Sequence, residues 1–138
     1  MMNIEIKKVA VDDILEIRHR VLWPDKLPDF VKVPEDDQAT HFGLYLEGRL
    51  ASVISLFPDA KSIRFRKFAT LPEYQSKGLG SKLLTHVIDH ARNQQYEKIW
   101  CDARSSAMNF YEKFGFKKFS EPFFKEDVEY FKISKRLL

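Results

Sequence analysis

Two glycines, Gly78 and Gly80, lie between lysines and directly before an apolar run, in the segment YQSKGLGSKLL from Tyr74 to Leu84. Glycine adopts positive φ angles and lets a ligand approach the backbone closely. At the start of a helix, such a loop presents unpaired N–H groups beside the positive end of the helix dipole, which favours anion binding. A simple turn into a helix explains the glycines equally well, so they do not settle the matter alone.

Two common phosphate-binding motifs do not fit this loop. A P-loop places Gly directly before Lys-Ser/Thr, with another glycine five positions earlier, whereas here Lys77 precedes Gly78. The dinucleotide fingerprint requires a third glycine where Leu83 stands. The loop therefore predicts an anion site of another kind.

Positive charge is concentrated around the same loop. The net charge of the 138 residues is only +3. Between Lys61 and Lys82, however, six basic residues accompany one acid, Glu73, which gives a local charge of +6 − 1 = +5. Such a field attracts an anionic ligand, although a solvated basic surface gives the same pattern.

Composition restricts the class of protein. Hydrophobic residues make up 44% of the chain and charged residues 31%, which indicates a single globular domain over residues 1–138. The lone cysteine, Cys101, excludes an internal disulfide and a multi-cysteine zinc site, and it favours a reducing compartment and a buried structural thiol. No apolar run is long enough to span a membrane, and the first residues do not form a signal peptide. We therefore expect a cytoplasmic protein without a membrane partner.

A metal site is not expected. His86 and His90 lie four residues apart on one predicted helix, but the glutamate of a zinc protease is missing between them and no third ligand is apparent.

The elements that must position the loop follow from hydrophobic periodicity. They run strand–helix, then three strands, then helix–strand–helix, then two strands, which predicts a mixed sheet with helices on its faces. Asp12 is the expected N-cap of the first helix, and Glu47-Gly48 the turn of a hairpin. Gly115 is expected to end the last helix with positive φ.

The strand before the loop, KSIRFRKFAT, contains an irregularity. Ile63 and Phe65 alternate with arginines until Lys67 breaks the pattern. A β-bulge near Lys67 would return Phe68 to the apolar face and leave backbone groups unpaired. The alternative is a strand that ends early.

The segments FRKFATLPEYQSKGLGSKLL and ARSSAMNFYEKFGF together resemble the GCN5-related N-acetyltransferases, or GNAT family. The resemblance extends over about Ile63 to Phe119. It implies an α/β (α+β) fold with a mixed, mostly antiparallel central sheet of about six to seven strands flanked by helices. A β-bulge and a splayed strand are then expected at the acetyl-CoA site.

The resemblance also implies an activity and a cosubstrate. The protein would be an N-acetyltransferase that transfers an acetyl group from acetyl-CoA, without a metal, to a primary amine of an unidentified small molecule or peptide. The amine would attack directly in a ternary complex. The positions that match the family's coenzyme-binding residues are Phe68, Ala69, Thr70, Gln75, Ser76, Lys77, Gly78, Leu79, Gly80 and Ser81.

Within this set, the resemblance gives different residues different roles. Main-chain N–H groups of the loop would bind the coenzyme A pyrophosphate, and Phe68 to Thr70 would pair with the pantetheine arm. The N–H of Phe68 would stabilise the oxyanion. Tyr111 would contact the coenzyme and protonate the departing thiolate, although its place on an apolar stripe also fits simple packing.

Two departures from the family pattern leave questions open. The strand from Ile63 to Thr70 contains no carboxylate, so the usual general base is missing; Asp102, Glu73, His41 or a water chain are the alternatives. Arg104 stands where many members have asparagine. It is a candidate for binding a coenzyme phosphate, or for a surface salt bridge.

The acceptor side and the competing functions are also open. An acid-rich segment would suit a cationic amine, or it is simply solvated; its acids are Asp25, Asp29, Glu35, Asp36 and Asp37.

The main alternative function is a catalytically inactive acyl-CoA-binding sensor or partner subunit. A nucleic-acid-binding module built on Arg64, Arg66 and Lys67 is disfavoured by the modest net charge, so we expect no nucleic acid partner. A homodimer remains open.

Overall fold

The computed structural model describes residues 3–138, in which eight strands form one open sheet with helices on both faces. The strand order is β1-β2-β3-β4-β5-β8-β6, and β7 also pairs with β8. The elements are β1 (Ile4–Lys8), α1 (Leu15–Leu22), β2 (Thr40–Leu46), β3 (Arg49–Asp59), β4 (Ser62–Thr70), α2 (Leu79–Asn93), β5 (Lys98–Arg104), α3 (Met108–Glu112), β6 (Lys117–Lys118), β7 (Phe123–Lys125) and β8 (Val128–Arg136).

The sheet has the predicted character. All strand pairs are antiparallel except β4 and β5, which run parallel because α2 connects them. The eighth strand is β7, a three-residue segment that forms a hairpin with β8 and was not expected from the sequence. Its alternation is too short to give a periodic signal.

Local turn chemistry explains most element boundaries. Glu47 and Gly48 have φ angles of 51° and 78°, as a two-residue hairpin turn requires, so the predicted hairpin is confirmed. Gly115, with φ of 88°, follows α3 as predicted. The prediction that Asp12 caps the first helix is wrong. Asp12 lies in a 3-10 turn ahead of α1, and the N–H of Ile14 already bonds to the Val11 carbonyl, so the backbone itself occupies the place of the cap.

Two hydrophobic cores lie on opposite faces of the sheet. On one face the apolar stripe of α2, which includes Leu83, Leu84 and Val87, packs against β2, β3 and β4. On the other face Ile14 and Ile17 pack against Val53, Ala69 and Leu71. Strands β3 and β4 therefore present alternate residues to α1 and to α2. This alternation decides which side chains of β4 and β5 reach each side of the site.

The segment between α1 and β2 is fixed by a buried polar network. Arg18, which is fully buried, forms a two-point ion pair with Asp36 and also donates to the hydroxyl of Ser55 and the carbonyl of Val31. The ring of His41 bonds to Ser55 and to the carbonyl of Asp36. Asp36, one of the acids expected near the acceptor, thus serves the fold.

Candidate active site

The parallel pair β4 and β5 separates part-way along its length. Paired positions end at Arg64 and Trp100, although β4 continues to Thr70 and β5 to Arg104. A bulge in β4 causes the divergence: Val53 pairs with Ala69 and Ser55 with Arg66, so Lys67 and Phe68 together face a single residue of β3. The predicted bulge is confirmed, and Lys67 adopts a φ of 57° within it.

A cavity of about 250 Å³ lies in the opening between the two strands. One wall consists of side chains that belong to the α2-side core, including Phe65, Phe68, Ala103 and Tyr111. The other wall, on the α1 side, is formed largely by charged side chains. The cavity therefore connects the two faces of the sheet.

Tyr111 of α3 reaches the apolar wall of this cavity. Its ring lies 5.9 Å from that of Phe65 and 5.7 Å from that of Phe116, measured between centroids. Burial, and to a smaller extent the nearby Cys101, raises the pKa of the phenol well above its ordinary value. The raised pKa keeps the phenol protonated at neutral pH. No side-chain hydrogen bond found within residues 3–138 involves the Tyr111 hydroxyl, so the hydroxyl is available to a ligand.

The glycine loop leaves a series of backbone donors free. Ser76 and Gly78 have φ angles of 62° and 79°, and α2 begins at Leu79 without a side-chain cap. Six consecutive N–H groups, from Ser76 to Ser81, make no hydrogen bond to any described residue; the first helical bond of α2 is that from Lys82 to the Gly78 carbonyl. They surround the positive end of a 15-residue helix, which is the geometry that binds anions.

Gln75 attaches this loop to the end of β4. Its N–H donates to the Pro72 carbonyl, and its side-chain amide donates to the Thr70 carbonyl at 2.9 Å. On the other side of the loop, a Cβ added to Gly80 would lie 3.5 Å from both the Phe68 ring and the Thr70 hydroxyl. The free N–H groups therefore lie next to the strand that borders the cavity.

Comparison with known proteins identifies this arrangement. The model of the acetyltransferase (GNAT) domain matches residues 22–137. The chain belongs to the GNAT family of acetyltransferases, and it is an acyltransferase. An uncharacterized N-acetyltransferase of Bacillus subtilis, YitI, is 33% identical over 129 residues, which is 87% of each chain. An S-alkylcysteine N-acetyltransferase of the same organism is 39% identical over 47% of this chain and 41% of its own length.

Solved structures show the same fold. A putative N-acetyltransferase from Lactobacillus plantarum superposes with a TM-score of 0.86 at 23% identity and covers 99% of both chains. A GNAT family acetyltransferase from Elizabethkingia anophelis, with acetyl-CoA bound, gives a TM-score of 0.76 at 18% identity and covers 97% of this chain and 98% of its own. The overall GNAT architecture predicted from the sequence is thereby confirmed.

The three side chains of this GNAT protein that were candidates for the general base all make other contacts. Asp102 accepts from Arg64 at 2.7 Å, from Lys125 at 2.9 Å and from Lys132 at 3.0 Å. Burial alone would raise its pKa, but the hydrogen bonds from the two lysines and the charge of Arg64 outweigh burial and lower it. A carboxylate with a lowered pKa is a weak base.

The other two candidates lie outside the cavity lining. Glu73 pairs with Arg20 at 3.0 Å on the surface. His41 is buried in the network around Asp36. Neither is brought together with Tyr111, so the structure assembles no free carboxylate or imidazole at this GNAT site among the described residues.

Arg104 lines the α1-side wall and binds the end of α1. Its guanidinium donates to the Leu22 carbonyl at 2.8 Å and to the Tyr130 hydroxyl at 3.3 Å, and it lies 5.0 Å from the centre of the Trp23 ring. Within residues 3–138 it forms no salt bridge. Arg104 thus helps to shape the cavity. Its positive charge also stabilises the negative, C-terminal end of α1.

Lys67 is a site residue that sequence reasoning had not assigned to the chemistry. Its side chain lines the cavity, and burial together with the neighbouring charge of Arg66 lowers its pKa from 10.5 to about 8. The signal was available, because Lys67 is the residue that breaks the alternation of β4. That break was interpreted only as a backbone feature.

The remaining candidates have structural roles. Cys101 is buried and its pKa is raised well above the ordinary value, chiefly by burial, so its thiol stays protonated. His86 and His90 each pack edge-on against the Phe42 ring.

Residues 3–138 contain no group of three or more metal-ligating side chains suited to an ion. Over the same range, no helix has both the length and the apolar character to cross a bilayer.

Proposed function

We propose that this protein transfers an acetyl group from acetyl-CoA to a primary amine by direct attack in a ternary complex. The observation that carries the proposal is the row of six free N–H groups at the start of α2, placed beside the opening between β4 and β5. A diphosphate at that row would direct the rest of the coenzyme along β4 and into the cavity. The acetyl-CoA bound by the Elizabethkingia relative supports the same cosubstrate.

The coenzyme contacts follow from this placement. The N–H groups of Ser76, Lys77, Gly78, Leu79, Gly80 and Ser81 bind the pyrophosphate, and Gln75 holds the loop in position. Because β4 has no strand partner on the β5 side beyond Arg64, the backbone of Phe68, Ala69 and Thr70 is available to the pantetheine amides. Gly80 lacks the side chain that would narrow the passage beside Phe68.

The chemical step uses two groups at the inner end of the cavity. The acceptor nitrogen attacks the thioester carbon, and the oxyanion that forms accepts a hydrogen bond from the Phe68 N–H, an interaction typically worth about 3 kcal/mol. The C–S bond then breaks, and the electron pair leaves on sulfur. Tyr111 donates its hydroxyl hydrogen to that thiolate. Its raised pKa makes complete proton transfer less favourable, so much of its effect is hydrogen-bond stabilisation of the thiolate.

The acceptor must lose a proton before or during attack. For a lysine-like amine of pKa ~10.4, deprotonation at neutral pH costs about 4 to 5 kcal/mol, whereas for a peptide α-amino group it costs about 1 kcal/mol. The cavity offers no free carboxylate among the described residues, since Asp102 is held by three cations. We therefore favour an α-amino acceptor and water as the proton acceptor. The S-alkylcysteine N-acetyltransferase is named for an amino acid, whose acceptor nitrogen is likewise an α-amino group.

The test combines binding with product analysis. Calorimetry should show acetyl-CoA binding, and mass spectrometry of a mixture of amino acids, peptides and polyamines incubated with acetyl-CoA should show a product heavier by one acetyl group. Failure to bind acetyl-CoA would contradict the proposal at its first step. Binding without any acetylated product would instead favour an inactive acyl-CoA sensor.

A further inference from the structure

The α1-side wall of the cavity carries a strong excess of positive charge. Five cationic side chains and one carboxylate, Asp102, line the cavity, so the local charge is +5 − 1 = +4. The cations are Arg64, Arg66, Lys67, Arg104 and Lys125. Asp102 is already shared by Arg64 and Lys125 and by Lys132, which lies outside the cavity lining. It therefore cannot neutralise the other cations of the wall.

This charge is separate from the row of N–H groups at α2. Arg64 and Arg66 alternate along β4 with Ile63 and Phe65, and the latter two belong to the core that packs against α2. The two guanidinium groups therefore lie on the opposite face of the sheet from the glycine loop. An anion bound there would be a second anion, distinct from the coenzyme diphosphate.

Two of these cations form no ion pair with a described residue. Neither Arg66 nor Lys67 makes a salt bridge or a side-chain hydrogen bond to any residue from 3 to 138; the Arg66 guanidinium lies 5.9 Å from the centre of the Phe57 ring. Arg64 is paired with Asp102 through Nη2, but its hydrogen bonding is incomplete, because its buried Nε atom has no partner among the described residues. Burial lowers the pKa of both Arg66 and Lys67.

Cations held in a partly buried wall without a partner are unfavourable, because they have lost water and gained nothing in return. An anion that enters the cavity would supply the missing charge and hydrogen-bond acceptors. Arginine is suited to this role, since its planar guanidinium binds carboxylates and phosphates at two points. The acid-rich segment offsets this charge only in part. Asp36 is paired with Arg18 and Asp29 with Lys32, while Glu35, which lines a neighbouring pocket together with Arg66, acts on Arg66 through its charge without forming an ion pair.

We propose that the α1-side wall is a subsite for a carboxylate or phosphate group of the acceptor, with Arg66 and Lys67 as its principal ligands. The acceptor is then an amine that carries an anionic group, an amino acid or a phosphorylated amine, and not a polyamine. Of the two, the amino acid also has the α-amino group favoured above. This inference rests on the proposed acetyl transfer for the identity of the reacting group, but the anion subsite itself is a separate physical claim.

Matched amine pairs test it. S-methyl-L-cysteine and 2-(methylthio)ethylamine differ only in the carboxylate, O-phosphoethanolamine and ethanolamine differ only in the phosphate, and spermidine supplies a cationic arm. We expect the anionic member of one pair to have a kcat/KM at least about tenfold above its partner, as a charge-assisted hydrogen bond allows. The pair that shows the larger ratio identifies carboxylate or phosphate as the source.

Variants assign the preference to the wall. Arg66→Gln should reduce the ratio to near one with unchanged acetyl-CoA affinity, and Arg66→Lys should restore part of it. Arg49→Gln, at an exposed position of the β2–β3 hairpin, is the matched control and should keep the full ratio. Unchanged acetyl-CoA affinity also shows that the variants are folded.

Calorimetry of the same pairs with the coenzyme A-loaded protein separates the two claims. Acetylation with no preference for the anionic members would overturn the subsite and leave the transferase. Binding of the anionic members that disappears in Arg66→Gln, without acetylation, would support the subsite and overturn the proposed reaction. A preference for spermidine or for the neutral partners, or no binding by any anionic member, would overturn the subsite.

Discussion

Arg18 and Asp36 form a two-point ion pair inside the protein, with both Nη1–Oδ2 and Nη2–Oδ1 distances at 2.9 Å. The pair joins α1 to the segment that leads into β2. Because α1 ends at Leu22, which lines the cavity, the pair also helps to fix one wall of the site. The network also includes Ser55, which pairs with Arg66 across β3 and β4, so it supports two sides of the cavity.

Replacing Asp36 with Asn should lower the free energy of unfolding by about 3 kcal/mol, because it leaves the buried Arg18 without its counter-charge. Urea denaturation at pH 7 measures this change. Asp29→Asn is the matched control in the same segment, since Asp29 is exposed in its pair with Lys32, and should cost less than about 0.5 kcal/mol. Equal losses in the two variants would contradict a structural role for the buried pair.

Acid should weaken the same contact. Burial alone would raise the pKa of Asp36, but the hydrogen bonds from Arg18 and from the Val33 N–H outweigh burial and lower it below 3.8. A lowered folded-state pKa means that the contribution is present above about pH 4 and is lost as the pH falls further. We expect stability between pH 5 and pH 2 to fall more steeply in the parent protein than in Asp36→Asn, as measured by urea denaturation. Parallel curves would contradict the expectation.

Gly78→Ala should weaken acetyl-CoA binding about tenfold or more, because the added methyl group projects into the space beside the free N–H groups. Gly48→Ala is a close control: both glycines have φ near 79°, and an added Cβ at either position meets no atom within 4 Å. Each alanine should therefore cost about 1 kcal/mol of stability for its left-handed conformation. Calorimetry that finds the same dissociation constant in the two variants would argue against the loop as the diphosphate site.

Tyr111→Phe should lower kcat by about 10² or more while acetyl-CoA affinity stays within about threefold, because the ring packing is retained and only the hydroxyl is lost. Thiol release during steady-state turnover measures the effect. Tyr96→Phe, at a tyrosine beyond the end of α2, is the control and should leave kcat unchanged. A fully active Tyr111→Phe protein would assign the residue to packing alone.

Lys67→Met should make the protein more stable at pH 7. The charged form of Lys67 is disfavoured in the folded state, where its pKa is about 8, relative to 10.5 in the unfolded chain. The penalty is therefore complete below pH 8 and disappears as the pH rises toward 10.5. Allowing for solvent screening of a partly exposed group, we expect a gain of about 1 kcal/mol at pH 7 that shrinks by pH 10.

Urea denaturation at both pH values measures the gain, and Lys77→Met, in the exposed glycine loop, is the control. A gain that is the same at pH 7 and pH 10 would show that hydrophobicity, and not charge, is responsible.

The sequence predicted features that arise from local chemistry. The hairpin at Glu47-Gly48, the positive φ of Gly115 and the bulge at Lys67 each follow from the needs of a few adjacent residues. Periodicity also identified the buried stripe of α2. The family resemblance then predicted that the glycine loop lies beside β4. In the structure, Gln75 and Gly80 of the loop lie next to Thr70 at the end of that strand.

Pairings between distant charges were not predictable. Nothing in the sequence near Asp36 indicates that Arg18 lies opposite it, and nothing near Asp102 indicates that Lys125 and Lys132 both bind it. Periodicity tells which face of the sheet a side chain occupies, but not which partner stands across a neighbouring strand. For this reason the general base and the charge of the α1-side wall were left undecided, and Lys67 was not assigned to the cavity between β4 and β5.

The point where β4 and β5 separate divides the sheet into two four-stranded halves, β1–β4 and β5–β8. Backbone pairing between them is confined to Ser62–Arg64 against Lys98–Trp100. A molecule lodged in the gap would touch both halves and so resist their moving apart. Occupancy should therefore slow amide hydrogen exchange across the whole sheet, far beyond the atoms in direct contact.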